Sequence, residues 1–129
     1  MTSERNVLGG ELELCSLDPL TGWFRDGYAR ASSDDPGSHT IAAVLSYDFL
    51  EHQREVGNDL STPLPQYGFP GLVPGDRWAA CAPRWHQSFL AGRACGVLLA
   101  ATSEGALEHT TIEALTAHSV DVPADLRSI

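Results

Sequence analysis

Apolar and polar positions along this chain change rhythm several times, and each rhythm predicts an element. Residues 7–15 alternate Leu8, Leu12 and Leu14 against Glu11 and Glu13, interrupted at Gly9 and Gly10, which predicts a half-solvated strand with a bulge, or a short hairpin. Residues 40–45 form a short apolar run with β-branched Thr40, Ile41 and Val44, the mark of a buried strand. Ser46 then suits the N-cap of a helix over residues 47–56. That helix buries Phe49, Leu50 and Val56, exposes Asp48, Glu51, His52, Arg54 and Glu55, and ends at Gly57. Residues 77–82 resume an extended run. Pro83 fits the first position of a second helix, whose apolar stripe is Trp85 with Phe89 and whose end is Gly92. Residues 96–101 read as another buried strand. Ser103 and then Thr110 or Thr111 cap two short helices, the second with a capping box from Thr110 to Glu113.

Two segments resist any period. Residues 16–38 hold Asp18-Pro19, Thr21-Gly22, Asp26-Gly27 and Asp34-Asp35-Pro36-Gly37, a density of turn signals that excludes a long regular element. Trp23 and Phe24 are expected to pin this stretch to the core, and Asp34-Asp35 to be a solvated acidic loop. Residues 57–78 pack four prolines, four glycines and two aspartates around Tyr67, Phe69 and Trp78, and so predict an ordered loop. Ordered loops longer than about 12–15 residues are uncommon and often functional. Within it, Pro74-Gly75 suits the centre of a type II turn. The sum is an α+β fold: a small mixed sheet with helices mainly on one face and a long ordered loop. One domain is expected over 1–129, with its core at about 6–121 and a tail at 122–129.

Charge narrows the partners. Seventeen acidic residues against eight basic ones give a net charge of -9, which repels phosphate backbones and anionic membranes, so nucleic acid and membrane are not expected partners. The longest apolar run, residues 94–101, is far short of the ~18 residues a span needs, and a cytoplasmic protein is expected. The three cysteines, Cys15, Cys81 and Cys95, include no close pair, which argues for reduced thiols rather than a disulfide framework or a zinc knuckle.

Candidate chemistry gathers on the loops. Asn58, Asp59, Ser61 and Thr62 concentrate donors and acceptors behind a helix end, either to cap loop backbone or to form a pocket wall. In the second case Asp59 is the group able to accept a proton, hence the candidate catalytic residue. Arg25, Asp26, His39, Arg77 and Trp78 complete a candidate substrate-binding set, since loop arginines in an acidic protein pair with carboxylates of the protein or of a ligand. Cys15, His39 and Cys81 supply only three soft donors, so no metal or other cofactor is assigned. A cysteine nucleophile activated by His39 or His86 has nothing in the sequence that sets a base beside it. The favoured reading is a small-molecule-handling protein, acid/base enzyme or ligand binder, with a pocket around residues 57–78. The alternative is a non-enzymatic module that binds a protein or self-associates into a homo-oligomer through the loop's aromatics.

A resemblance adds a family. Asn6-Val7-Leu8-Gly9-Gly10, Cys15-Ser16, Thr21-Gly22, Arg25-Asp26-Gly27, Gly37-Ser38-His39-Thr40, Gly57-Asn58-Asp59-Leu60-Ser61-Thr62-Pro63 and Gly68-Phe69-Pro70-Gly71-Leu72 resemble the bacterial domain-of-unknown-function family 2237. So do Pro74-Gly75-Asp76-Arg77-Trp78, Cys81, Arg84-Trp85 and Ala117-His118, in the same order. The resemblance implies a small bacterial α+β domain and carries over no catalytic residue. It also implies cysteines at the positions of Tyr28, Ala29, Ala42 and Ala79 and a histidine at that of Ser103. This chain is therefore a divergent member that keeps Cys15 and Cys81 of that set.

Overall fold

Side chains alternate along β1 (His39–Val44), and the two sets they form build two cores. Ile41 and Ala43 join the larger cluster, while Ala42 packs with Cys15, Leu98 and Ala101 behind the sheet. The computed structural model describes residues 4–122. In it β1 is the middle strand, antiparallel to β2 (Arg77–Cys81) on one side and β3 (Gly96–Val97) on the other. Among the described residues, parallel pairing is confined to single bridges, Ala29 with Thr102 and Val97 with Ser119. The β1–β2 register sets Ala42 opposite Ala79 and His39 opposite Cys81, with an irregularity between His39 and Ile41.

Helices α1 (Tyr47–Glu55), α2 (Ala82–Leu90) and α3 (Ile112–Ala117) cover the larger cluster, into which they send Phe49, Leu50, Trp85, Ala114 and Leu115. The α+β architecture follows the sequence reading. Ser46 caps α1 by accepting from the Phe49 N–H, and Gly57, at φ +92°, follows its end. Trp85 is wholly buried, stacks on Phe89 and donates Nε1–H to the Cys95 carbonyl.

Several expectations need correction. Residues 7–15 form no strand, and of the short hairpin only a turn closed by the antiparallel Arg5–Glu11 bridge stands; inside it Asn6 Oδ1 accepts from Leu8 and Gly10, and Nδ2 donates to the Glu11 and Ala100 carbonyls. Of residues 96–101 only Gly96–Val97 is strand. The Asp121 carboxylate accepts the Leu99 and Ala100 N–H groups, and Leu99–Ala101 turns as a 3-10 helix. Thr111 caps α3, whereas Thr110 bonds to His86 Nδ1, so no capping box starts at Thr110. Pro83 stands second in α2, after Ala82.

On α1 the buried partners of Phe49 and Leu50 are His52 and Gln53, while Val56 is the half-buried C-cap. Ser88, from α2, accepts from Gln53 Nε2 and shares a second hydrogen bond with His52 Nδ1, each at 2.7 Å. A polar clasp thus joins two helices. Trp23 and Phe24 are half-exposed rather than core residues: Trp23 stacks on His39, and the Arg30 guanidinium lies over Phe24. Of the expected tail only Val122 is described, and it packs against the larger cluster; 123–129 lie outside the described residues.

The unperiodic segment 16–38 is fastened to the sheet. Thr21 is wholly buried, and its Oγ1 accepts the Ala79 N–H on the side of β2 away from β1, while its carbonyl accepts from Gly27. Gly22 beside it has φ +101°, and a Cβ there would lie 2.3 Å from the Tyr28 carbonyl oxygen. At the far flank of the sheet, the Val97 N–H bonds to the His118 carbonyl and the Val120 N–H to the Val97 carbonyl.

Candidate functional site

Anchoring Thr21 to β2 brings the turn that follows over Trp78. Arg25 closes that turn, its N–H bonded to the Gly22 carbonyl and its φ at +54°, a region costly for a residue with a side chain. Its guanidinium carbon stands 5.5 Å from the Trp78 ring centroid, and it pairs with no carboxylate among the described residues. Trp78 is buried and meets the Phe69 ring in a T-shaped contact, with ring centroids 5.8 Å apart.

Two open clefts meet at this Arg25–Trp78 pair. One, of about 270 Å³, is walled by Asp18, Leu20, Tyr67 and Phe69; the other, of about 310 Å³, by Trp23, His39 and Leu60. A smaller cavity of about 50 Å³ is lined by Trp78 and His39 together with Asn58, Leu60, Cys81 and Arg84. Residues 58, 60 and 67–70 come from the long loop, which therefore forms one wall of all three spaces taken together.

His39 is held by Asp35. The carboxylate, fully buried, accepts from His39 Nδ1 at 2.9 and 3.0 Å, from the His39 backbone N–H at 2.8 Å and from the Gly37 N–H at 3.0 Å. Burial by itself pushes the Asp35 carboxyl up, but these bonds and the imidazole's charge outweigh it and hold the group below the usual carboxylate range. Gly37 leaves room for the ring, since a Cβ there would meet His39 Cε1 at 2.7 Å. The ring is thus fixed between Gly37 and the stacked Trp23, with Nδ1 engaged. Its Nε2 has no hydrogen-bond partner among the described residues, and 38% of the side chain is exposed. A carboxylate that fixes the tautomer and orientation of an imidazole leaves the second nitrogen able to take or give a proton.

Of the residues singled out in the sequence, the structure brings Arg25, His39, Asn58 and Trp78 together and leaves the others elsewhere. Asp26 pairs with Arg30 at 2.9 Å and accepts the Tyr28 N–H. Asp59 is exposed and closes its own loop, accepting from the Thr62 hydroxyl at 2.6 Å and from the Ser61 and Thr62 N–H groups; those bonds hold its carboxyl below the usual range. Ser61 and Thr62 serve that turn, and Arg77 is exposed at the start of β2, opposite Val44. Asp35, expected in a solvated loop, is instead the buried partner of His39. The signal was the spacing Asp35-Pro36-Gly37-Ser38-His39, in which a tight turn returns the chain to its own carboxylate.

The thiols differ among themselves. Burial pushes Cys15 and Cys95 up to about 12, as befits core sulfur. Cys81 is half-buried; burial raises it too, while the Arg84 N–H and guanidinium pull the other way. It lines the small cavity with His39, and no hydrogen bond joins the two. Among the described residues, no three His, Cys, Asp or Glu side chains are grouped to hold a metal ion, and no helix is long and apolar enough to cross a membrane.

The model of a family described as "Uncharacterized protein conserved in bacteria (DUF2237)" matches residues 5–119. No curated protein matches the chain.

Proposed function

The chain belongs to the bacterial family DUF2237, and we propose that within it this protein handles a small organic anion in the clefts around Trp78, with His39 as the proton-transferring group. The observation that carries this reading is the Asp35–His39 pair, an oriented imidazole opening on the cleft that an uncompensated arginine also enters. Two features support an anionic ligand. Arg25 pairs with no carboxylate among the described residues of a chain of net charge -9, and its guanidinium offers the planar fork that binds a ligand carboxylate through two parallel bonds. Trp78, Phe69, Tyr67 and Leu20 supply apolar walls for the rest of such a molecule.

Arg25→Gly tests the reading. Glycine adopts φ +54° without strain, so the thermal midpoint should hold or rise, while binding should fall at least tenfold across a panel of small carboxylic acids followed by Trp fluorescence. Equal binding by both proteins, or none by either, would sink the proposal.

The alternative of a protein-binding module draws support from exposed apolar side chains: Tyr67 (79%), Leu20 and Trp23 on the clefts, and Leu17 (61%) and Phe24 in the same turn-rich segment. It predicts a concentration-dependent mass in light scattering that Leu17→Glu abolishes. An unchanged monomer mass in both proteins would count against self-association.

A further inference from the structure

We propose that Cys81 is a nucleophile served by His39 and Asp35, and that the reaction at this site is acyl transfer through an S-acyl intermediate. The inference rests on the small-anion reading and deepens it by naming the reaction. Its ground is a juxtaposition the sequence hides: 42 residues apart in the chain, His39 and Cys81 are cross-strand partners at the open end of the β1–β2 pair. Antiparallel partners have Cα atoms about 4.5–5.5 Å apart; the register slips between His39 and Ile41, so it is the space the two residues share that joins their side chains. Both line one cavity of about 50 Å³, and Asp35 engages His39 through Nδ1, leaving Nε2 for the thiol's proton. Nucleophile, base and orienting carboxylate stand in that order, an arrangement recognised by roles rather than by sequence position.

The strand-to-helix junction adds the rest. Cys81 is the N-cap of the nine-residue α2, so its sulfur sits at the positive end of the helix. Of the first N–H groups, that of Ala82 bonds to the Ser38 carbonyl, Pro83 has none and that of Arg84 faces the Cys81 sulfur; Arg84 also lines the cavity, its Nη1 donating to the Val56 carbonyl and Gln87. Negative charge developing beside Cys81 would lie near this helix end and the Arg84 cation. Cys15 and Cys95 share none of this: both are enclosed in apolar packing.

The steps balance. With Arg25 holding the substrate's carboxylate, Cys81 Sγ bonds to the acyl carbon while its proton passes to His39 Nε2. Collapse of the tetrahedral species breaks the bond to the leaving alkoxide or amine, which takes that proton. Water then attacks the S-acyl group, gives a proton to Nε2, and the S–C bond breaks with return of that proton to sulfur. The products are the free acid and an unchanged protein. Because burial keeps the thiol protonated at rest, the proton must leave as the electrophile arrives, which is the task an oriented base performs.

Iodoacetamide and p-nitrophenyl acetate test this without a known substrate and without the anion cleft. In the folded protein at pH 7, peptide mass mapping should find Cys81 carbamidomethylated at least tenfold faster than in His39→Gln, with Cys15 and Cys95 unmodified in both. Asp35→Asn, which keeps the ring but loosens its positioning at a cost in stability, should fall between them when assayed on folded protein. p-Nitrophenyl acetate should leave an acetyl group on Cys81 that Cys81→Ser and His39→Gln do not form. Equal rates in wild type and His39→Gln with Cys15 and Cys95 protected would overturn the proposal, as would a Cys81 inert to both reagents. Should His39→Gln expose the other thiols, the wild-type pH–rate curve decides: help from the imidazole gives a first rise that levels off below the simple-thiol range, and a curve whose first rise comes only near about 8.5 or above refutes activation. Loss of carboxylic-acid binding with these reactivities intact would refute the anion reading alone.

Discussion

Asp35→Asn is the substitution whose cost can be worked out most fully. The carboxylate accepts four close contacts from three donor groups, the Gly37 N–H, the His39 N–H and His39 Nδ1, and none of its surface is exposed. Asparagine keeps one acceptor oxygen and replaces the other by an NH₂ that must face a donor. One bond to a charged group is lost, about 1.5–3 kcal/mol, and one buried donor is left unpaired, about 1–3 kcal/mol; the two overlap, so about 3 kcal/mol is expected. Against typical stabilities of about 5–15 kcal/mol that is a large fraction. The pH dependence fixes the cause. The folded Asp35 carboxyl lies below its unfolded value, so its contribution is fully present above the ordinary carboxylate range near about 3.9 and is lost as pH falls through the folded value. Urea denaturation of both proteins should therefore show a gap of about 3 kcal/mol at pH 7 that narrows steadily below about pH 4. Equal midpoints at pH 7, or a gap unchanged in acid, would refute the assignment of Asp35 as the ionised partner of His39.

Ser88→Ala removes the hydroxyl shared by His52 and Gln53 and should cost about 2–3 kcal/mol in chemical denaturation, against under about 0.5 kcal/mol if the α1–α2 clasp contributes nothing. Gly22→Ala meets both a carbonyl oxygen at 2.3 Å and a φ of +101°; it should lower stability by more than about 2 kcal/mol and slacken the Arg25 turn, read as loss of Trp78 quenching by carboxylic acids. Asp59→Asn, at an exposed turn outside the clefts, should leave both thermal midpoint and carboxylic-acid binding unchanged, and a selective loss of binding would restore Asp59 to the site. Chelator should leave the melting curve of the purified protein unmoved; about one metal per chain by elemental analysis, lost with stability in Cys15→Ser/Cys81→Ser, would contradict that.

What could be read from the sequence were features decided within a few residues. The β-branched run that became β1, Ser46 as cap, Gly57 and Gly92 as stops and the Val73–Asp76 turn each follow from local stereochemistry, and each stands in the structure. Periodicity failed where a side chain outbid the ladder, as Asn6 does for residues 7–15 and Asp121 for residues 99 and 100. The site divided in the same way. Arg25, His39, Asn58 and Trp78 carry unusual chemistry on turn-rich segments and were visible for that reason. Asp35 was mistaken because two adjacent aspartates look solvated until a tight turn buries one of them. His52, exposed by helical arithmetic, points inward because Ser88 on another helix gives it a partner, a contact no window of sequence contains. The pairing of His39 with Cys81 belongs to strand register, which neither strand announces alone.

The way Thr21 and residues 118–120 flank the three strands has a consequence for the protein's company in a crowded cell. An open strand edge is a template on which another chain can build, and small sheets are the most exposed to it. Here the Ala79 N–H on the outer side of β2 is taken by a side chain, which offers no carbonyl for the next chain to continue the pattern. On the opposite flank Val97 gives both of its backbone groups to residues 118 and 120 of its own chain. The chain ends each ladder with its own irregular segments, so strand-by-strand accretion would first have to peel those segments away. The loop that positions Arg25 therefore also guards an edge, and variation that loosens it for a new ligand would carry a risk of aggregation as well as a change of specificity.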